Sequence, residues 1–124
     1  MRTVFTHAAP APIGPYSQAI HSDPFLFCSG QIGLDPATGE LVAGGPAAQA
    51  ERALTNLSEV LHEAGLELRH VLKTTLYLTR MSDFTVVNEV YARHFGDAKP
   101  ARSTVAVAEL PRGALVEIDA IARD

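Results

Sequence analysis

The chain has 124 residues, enough for one domain with its own core and too few for two. Its 47% hydrophobic and 19% charged residues describe a globular protein rather than a disordered one, and a net charge of −4 argues against a broad polyanion-binding face. A single cysteine, Cys28, excludes an internal disulfide framework; with no bilayer-length apolar run and no secretory layout in Met1 to Phe5, a cytoplasmic setting is expected.

Arg2 to Thr6 reads as a short first strand, with Val4 and Phe5 facing inward. Ala8 to Pro15 follows, stiffened by Pro10, Pro12 and Pro15 and bent at Gly14, an ordered loop that holds Tyr16 in one place. Tyr16 to His21 and Phe25 to Ser29 then read as strands separated by a turn at Ser22-Asp23-Pro24. Leu34 to Glu40 carries hairpin-turn chemistry between Gln31-Ile32 and Leu41-Val42. The first helix opens near Pro46, has apolar residues at Ala50, Ala53, Leu54, Leu57, Val60, Leu61 and Ala64, and ends before Gly65. Val71 to Thr79 is a strand. Ser82 is expected to cap a second helix whose inner face carries Phe84, Val87, Tyr91 and Phe95.

The order of elements gives an α+β class, with two helices on one face of a mixed sheet of about five or six strands. Phe25 to Cys28, Thr104 to Ala108 and Leu115 to Ala122 are apolar at both parities, as in strands buried on both faces. Two helices cover one face only. The other face needs a partner, and a homo-oligomer closing sheet against sheet is the expected solution.

Two charges stand out against these apolar strands. Arg102 heads Ser103 to Ala108, and Glu117 interrupts Leu115 to Ala122. A charge near a core strand is costly unless paired or hydrogen-bonded. Joined by a short Pro111-Arg112-Gly113 turn, the two strands are expected to pair as neighbours and bring a guanidinium and a carboxylate toward one crevice. Arg102 could grip a substrate carboxylate with its planar fork, or form an ion pair with Glu117 or Asp119, and both readings stay open. Glu117 can serve as a general acid or base. It shares a strand face with Asp119, so one of the two carboxylates should meet water or a basic partner.

Other positions carry weaker signals. Tyr16 could offer a fixed hydroxyl to a ligand or cover one end of the sheet. Ser29-Gly30 ends a buried strand where glycine permits close backbone approach. Asn88, near the inner face of the second helix, could reach a pocket or tie the helix to a neighbouring backbone. Cys28 reads as a small buried hydrophobe. His7, His21, His62, His70 and His94 show no metal-ligand spacing with one another or with Cys28, and no nucleotide fingerprint or nucleophile elbow is present, so a cofactor-free site without metal is expected.

Ala11-Pro12-Ile13-Gly14-Pro15-Tyr16-Ser17-Gln18-Ala19, Ser29-Gly30-Gln31, Asp35 to Glu40, the set Phe84, Asn88 and Tyr91, and Pro100-Ala101-Arg102-Ser103-Thr104-Val105 running on to Val116-Glu117-Ile118 together resemble the reactive-intermediate (imine) deaminase family, the Rid or YjgF family. The resemblance covers essentially residues 1–124 as one domain. It implies a chorismate-mutase-like fold assembled as a homotrimeric barrel with three clefts between subunits. It also implies a cofactor-independent hydrolase, a 2-iminobutanoate/2-iminopropanoate deaminase that turns enamines and imines such as 2-aminoacrylate into 2-oxo acids and ammonia, as metabolite damage control. Arg102 matches the arginine that marks the deaminase branch, and Tyr16, Ser29, Gly30, Asn88 and Glu117 match cleft positions. Thr104 stands where many members carry cysteine; a role through its backbone N–H survives that change, a thiol role does not.

On that reading Arg102 binds the substrate carboxylate, Glu117 and Tyr16 hold the attacking water, and backbone groups of Gly30 and Thr104 complete the alignment. The alternative is a non-catalytic trimer that senses 2-oxo or amino acids and regulates a partner protein. A third reading, RNA cleavage, is disfavoured by the acidic balance and the lack of an aromatic-basic stripe. Neither nucleic acid nor a membrane is an expected partner.

Overall fold

The computed structural model describes residues 1–124. Six strands and two α-helices follow in the order β1 (Arg2–Val4), β2 (Ala19–Ser22), β3 (Phe25–Ile32), α1 (Gly45–Glu63), β4 (Val71–Leu78), α2 (Phe84–Phe95), β5 (Ala101–Ala106) and β6 (Val116–Arg123). They form one mixed sheet in the spatial order β1-β2-β3-β6-β4-β5. Every pairing is antiparallel except β4 with β5, which α2 connects as a parallel crossover.

Local chemistry explains the helices. Pro46 sits in the first turn of α1, where its missing N–H costs nothing. The stripe Ala50, Ala53, Leu54, Leu57, Val60 and Leu61 is buried along its length. The helix stops because Gly65 turns left-handed at φ 80°, letting the Leu66 amide donate to the Leu61 carbonyl at 2.9 Å. Before α2 the chain makes a 3₁₀ turn over Met81–Asp83, and Asp83 rather than Ser82 occupies the N-cap, without a side-chain capping bond. The expected Ser82 cap is therefore absent, because the 3₁₀ turn moves the helix start past it.

Both helices pack on one face of the sheet. Leu26, Cys28, Leu76, Leu78, Val116, Ile118, Ala120 and Ala122 face them and join Leu54, Leu57, Leu61, Val87, Val90, Tyr91 and Phe95 in one core. Each fully buried leucine here contributes about 1.5–3 kcal/mol. The other face lacks any covering element of this chain. Phe25, Phe27 and Val105 are 37%, 46% and 40% exposed there, apolar surface of the kind that the double-sided strand pattern anticipated.

Several expectations need correction. The last two strands are not neighbours: β4 lies between them, pairing with β5 on one side and β6 on the other. The Pro111–Gly113 segment is a 3₁₀ turn with Arg112 at φ 62°, and the connection it belongs to passes the end of β4. The first strand ends at Val4, and Phe5 is exposed. The second strand begins only at Ala19, because Ser17 and Gln18 turn their polar groups to other tasks. Gln31-Ile32 continues β3, and the expected hairpin reduces to a single bridge between Leu34 and Leu41.

Candidate functional site

Glu117 faces a cavity of about 350 Å³ whose lining includes Ile13, Tyr16, Ser29, Gly30 and Pro111. The cavity exists because β3 breaks its register against β6 between Cys28 and Gln31. A bulge of this kind re-aims side chains and frees backbone groups from the ladder. Ser29 is held by its hydroxyl, which donates to the Ser17 carbonyl at 2.6 Å, and by its amide, which donates to the Gln18 carbonyl at 2.9 Å. Gly30 gives way to the acid: a Cβ there would lie 1.9 Å from Glu117 Oε2. Tyr16 stands at the mouth, half exposed, its hydroxyl accepting a long 3.5 Å contact from the Ile13 amide.

The proline-rich loop is not free to drift. Gln18 is 1% exposed, and its Oε1 accepts from the Thr6 amide at 2.7 Å. Its Nε2 donates to the Thr6 carbonyl at 3.1 Å and the Pro10 carbonyl at 2.9 Å. One side chain thus clamps the strand-to-loop corner from which Ile13 and Tyr16 project. On the helix side, Asn56 is fully buried and its Nδ2 donates to the Ile32 and Leu34 carbonyls, fixing the chain just beyond the bulge.

Burial pushes the Glu117 carboxyl above the usual carboxylate range, and the Asp119 charge on the same strand face adds to the effect. A carboxyl whose charged form is disfavoured holds its proton more readily than a solvated one, which suits acid–base work.

Arg102 occupies a second location. Its Nη1 donates to Asn88 Oδ1 at 2.8 Å, and its guanidinium lies 4.7 Å from the Tyr91 ring centre and 5.4 Å from that of Phe84. These contacts hold the fork in one orientation and leave most of its five N–H groups for a ligand. The neighbouring cavity, about 380 Å³, is bordered by Asn88, Tyr91, Lys99 and Pro100 as well as Arg102. Thr104 follows on the same strand face, half-buried. Within one chain Arg102 makes no ion pair with Glu117 or Asp119.

The two locations do not meet within one chain. Arg102 lies opposite Thr74, whose side chain is buried under α2 and bonds to the Tyr91 hydroxyl. Glu117 lies opposite Tyr77, on the uncovered face. The expected single crevice is therefore corrected: Tyr16, Ser29, Gly30 and Glu117 come together, Asn88, Arg102 and Thr104 come together, and the sheet stands between the groups.

Gln18, Asn56 and the walls Ile13 and Pro111 were not singled out by the sequence. Gln18 lies inside the Ala11 to Ala19 motif and Asn56 inside the first helix, and nothing in their spacing separates a buried amide from a solvated one. At the far end of β6, the ligand atoms of His21, Asp23 and Asp124 lie within 4.8 Å of one another, with Asp23 and Asp124 exposed. This juxtaposition of a turn with the last residue is invisible to histidine spacing.

A family model described as Endoribonuclease L-PSP matches residues 6–124. The chain is 50% identical to the mouse 2-iminobutanoate/2-iminopropanoate deaminase over 98% of this chain and 90% of the mouse protein. The crystal structure of a Thermotoga maritima protein provisionally described as an endoribonuclease superposes with a TM-score of 0.98 at 52% identity, covering 100% of this chain and 98% of that one. Escherichia coli TdcF with bound serine superposes with a TM-score of 0.96 at 38% identity, covering 100% of this chain and 99% of that one.

Proposed function

Because the chain belongs to the Endoribonuclease L-PSP family, also called the Rid or YjgF family, we propose that it is an imine deaminase, hydrolysing 2-imino acids to 2-oxo acids and ammonia. The observation that carries the reading is a carboxylate seated against Gly30 at one cavity, Glu117, together with a guanidinium held by Asn88 and two rings at another, Arg102. The name of the mouse relative and the serine bound to the Escherichia coli relative support a small amino-acid-like ligand.

A three- or four-carbon substrate cannot touch both groups of one chain, since a sheet separates them. The site is proposed to form where copies meet, with Tyr16, Ser29, Gly30 and Glu117 from one copy facing Asn88, Arg102 and Thr104 of the next. The exposed phenylalanines of the uncovered face supply an apolar surface for that assembly. The homotrimeric barrel expected from the resemblance has this character.

Arg102 takes the carboxylate bidentately and fixes the orientation of the adjacent C=N carbon. Water adds to that carbon while Glu117 accepts its proton and passes it to the imine nitrogen, giving a carbinolamine. Glu117 then takes the hydroxyl proton and delivers it to the amino nitrogen, the carbon–nitrogen bond breaks, and ammonia leaves as the C=O of the 2-oxo acid forms. Tyr16 steadies the water, and the amides at Gly30 and Thr104 border the reacting carbon. Imines already hydrolyse in water, so orientation together with one acid–base group suffices.

The test generates the imine with an amino-acid oxidase or threonine dehydratase and traps it with semicarbazide. Wild type should suppress semicarbazone formation and Arg102→Ala should not. A sensor of amino or 2-oxo acids, favoured by the serine-bound relative, is distinguished by Glu117→Gln: a sensor keeps its affinity and has no turnover to lose. The nuclease description of the family sits poorly with a net charge of −4.

A further inference from the structure

The uncovered sheet face carries a second carboxylate that this reaction does not use. Asp119 follows Glu117 by two residues on β6, so both side chains leave the same face with their Cα atoms about 7 Å apart. Glu117 sits by the cavity, whereas Asp119 is tied down. Its Oδ1 accepts from the Thr75 amide at 3.2 Å, and its Oδ2 accepts from the Tyr77 hydroxyl at 2.9 Å. The register of β4 against β6 makes this possible, setting Thr75 opposite Asp119 and Tyr77 opposite Glu117. The Tyr77 hydroxyl, in turn, holds its own proton more tightly for being bonded to that carboxylate.

We propose that Asp119, clamped by Tyr77 and the Thr75 amide, is a positioning residue that places a fixed negative charge on the strand face beside Glu117 and so favours retention of the Glu117 proton. The functional meaning rests on the deaminase reading above, in which Glu117 must both accept and return a proton; the electrostatic claim stands apart from it. No other fixed anion faces Glu117. From β3 the residues Ser29 to Ile32 bring no charge, and the loop before β2 brings only the Tyr16 phenol. From the turn before β6, Pro111 borders the cavity while the Arg112 Nη2 is engaged with the Gly39 carbonyl at 3.1 Å. From β4, beyond Tyr77, Lys73 lies further along the same face with its Nζ 3.4 Å from Thr75 Oγ1. The Arg102 of an adjoining copy, in the proposed assembly, is common to every variant compared below and cancels.

The experiment titrates the side-chain carboxyl carbon of Glu117 by NMR in glutamate-labelled protein, with Glu117→Gln identifying the signal. Asp119→Asn has the same shape, keeps one acceptor for the Thr75 amide and can donate its amide N–H to the Tyr77 hydroxyl, so the charge is removed with the packing retained. Its Glu117 midpoint should fall by about half a pH unit to one unit, the size expected for one charge at this separation in a half-buried site. Asp119→Glu, which restores the charge, should return most of the shift. Tyr77→Phe, which loosens the clamp, should move the midpoint the same way by less. An unchanged midpoint in Asp119→Asn, or in Tyr77→Phe should the first variant not fold, overturns the proposal. The acid limb of the kcat/KM profile should follow the midpoint; a midpoint that moves while the limb stays leaves the Asp119 clamp standing and removes Glu117 from the reaction.

Discussion

Glu117 and Gly30 share one volume: the carboxylate oxygen Oε2 lies 1.9 Å from where a Cβ on residue 30 would stand. The absence of a side chain at Gly30 is what allows the acid to lie against the bulge and border the cavity. Gly30→Ala should therefore displace the carboxylate, with a loss in kcat/KM of at least tenfold and an overpacking cost of about 1–3 kcal/mol. Paired measurements of kcat/KM and urea midpoint check this; wild-type values for both would mean that the acid has no fixed place.

Arg102 is oriented by an amide and two rings, and that arrangement suits a guanidinium rather than an ammonium. Losing a charged bidentate contact costs ~1.5–3 kcal/mol, so Arg102→Ala should lower kcat/KM at least tenfold. Arg102→Lys should recover little of it, since lysine has neither the fork nor the ring stacking. Asn88→Ala, which frees the fork without removing its charge, should fall between wild type and Arg102→Ala. Full activity in the lysine variant would reduce Arg102 to a point charge.

The raised Glu117 carboxyl also links stability to pH. It binds its proton more tightly in the folded chain than in the unfolded one. The stability it contributes is thus fully present below the unfolded value and is lost as pH rises through the higher folded value. Glu117→Gln lacks this loss. Melting temperatures of the two proteins should converge below about pH 4 and separate as the pH rises, with the glutamine variant higher at neutral pH. Parallel curves would show that the carboxyl is not perturbed.

Gln18 serves four backbone groups of the N-terminal corner while almost wholly buried. Gln18→Ala leaves the Thr6 amide and carbonyl without their partner, at a cost of about 2 kcal/mol or more. Because the same clamp sets the loop bearing Ile13 and Tyr16, KM should rise with the loss of stability. Chemical denaturation and steady-state kinetics on the one variant would separate a purely structural clamp, for which KM stays put.

Cys28 faces the helices on β3, and burial pushes its thiol up to about 12. It should not react with a disulfide reagent at pH 8 in the folded protein and should react at once when denatured. Rapid modification of the native chain would place the thiol outside the core.

These relationships were unequally legible in the sequence. The stripe of α1 and its Gly65 stop follow from local periodicity and cap chemistry, and the structure reproduces them. The double-sided apolar strands gave the exposed Phe25 and Phe27 a meaning in advance. What the sequence hid was long-range: α2 carries the chain across so that β4, not β5, lies beside β6, and no local signal distinguishes that order from a simple hairpin. The register then sets the faces: Arg102 pairs with Thr74 and Glu117 with Tyr77, positions on β4 whose side chains leave opposite faces of the sheet. The roles of Gln18 and Asn56 were hidden for a related reason, since an amide is marked as buried only by the backbone groups that surround it after folding.

The most direct test of the account mixes two inactive variants. Arg102→Ala and Glu117→Gln are each purified, combined under conditions that exchange subunits, and assayed for suppression of semicarbazone formation. If Arg102 of one copy acts with Glu117 of the next, some interfaces in the mixture carry both intact groups, and an equal mixture should regain about a quarter of wild-type activity. Mixed assemblies that form and stay inactive would contradict a site shared between copies.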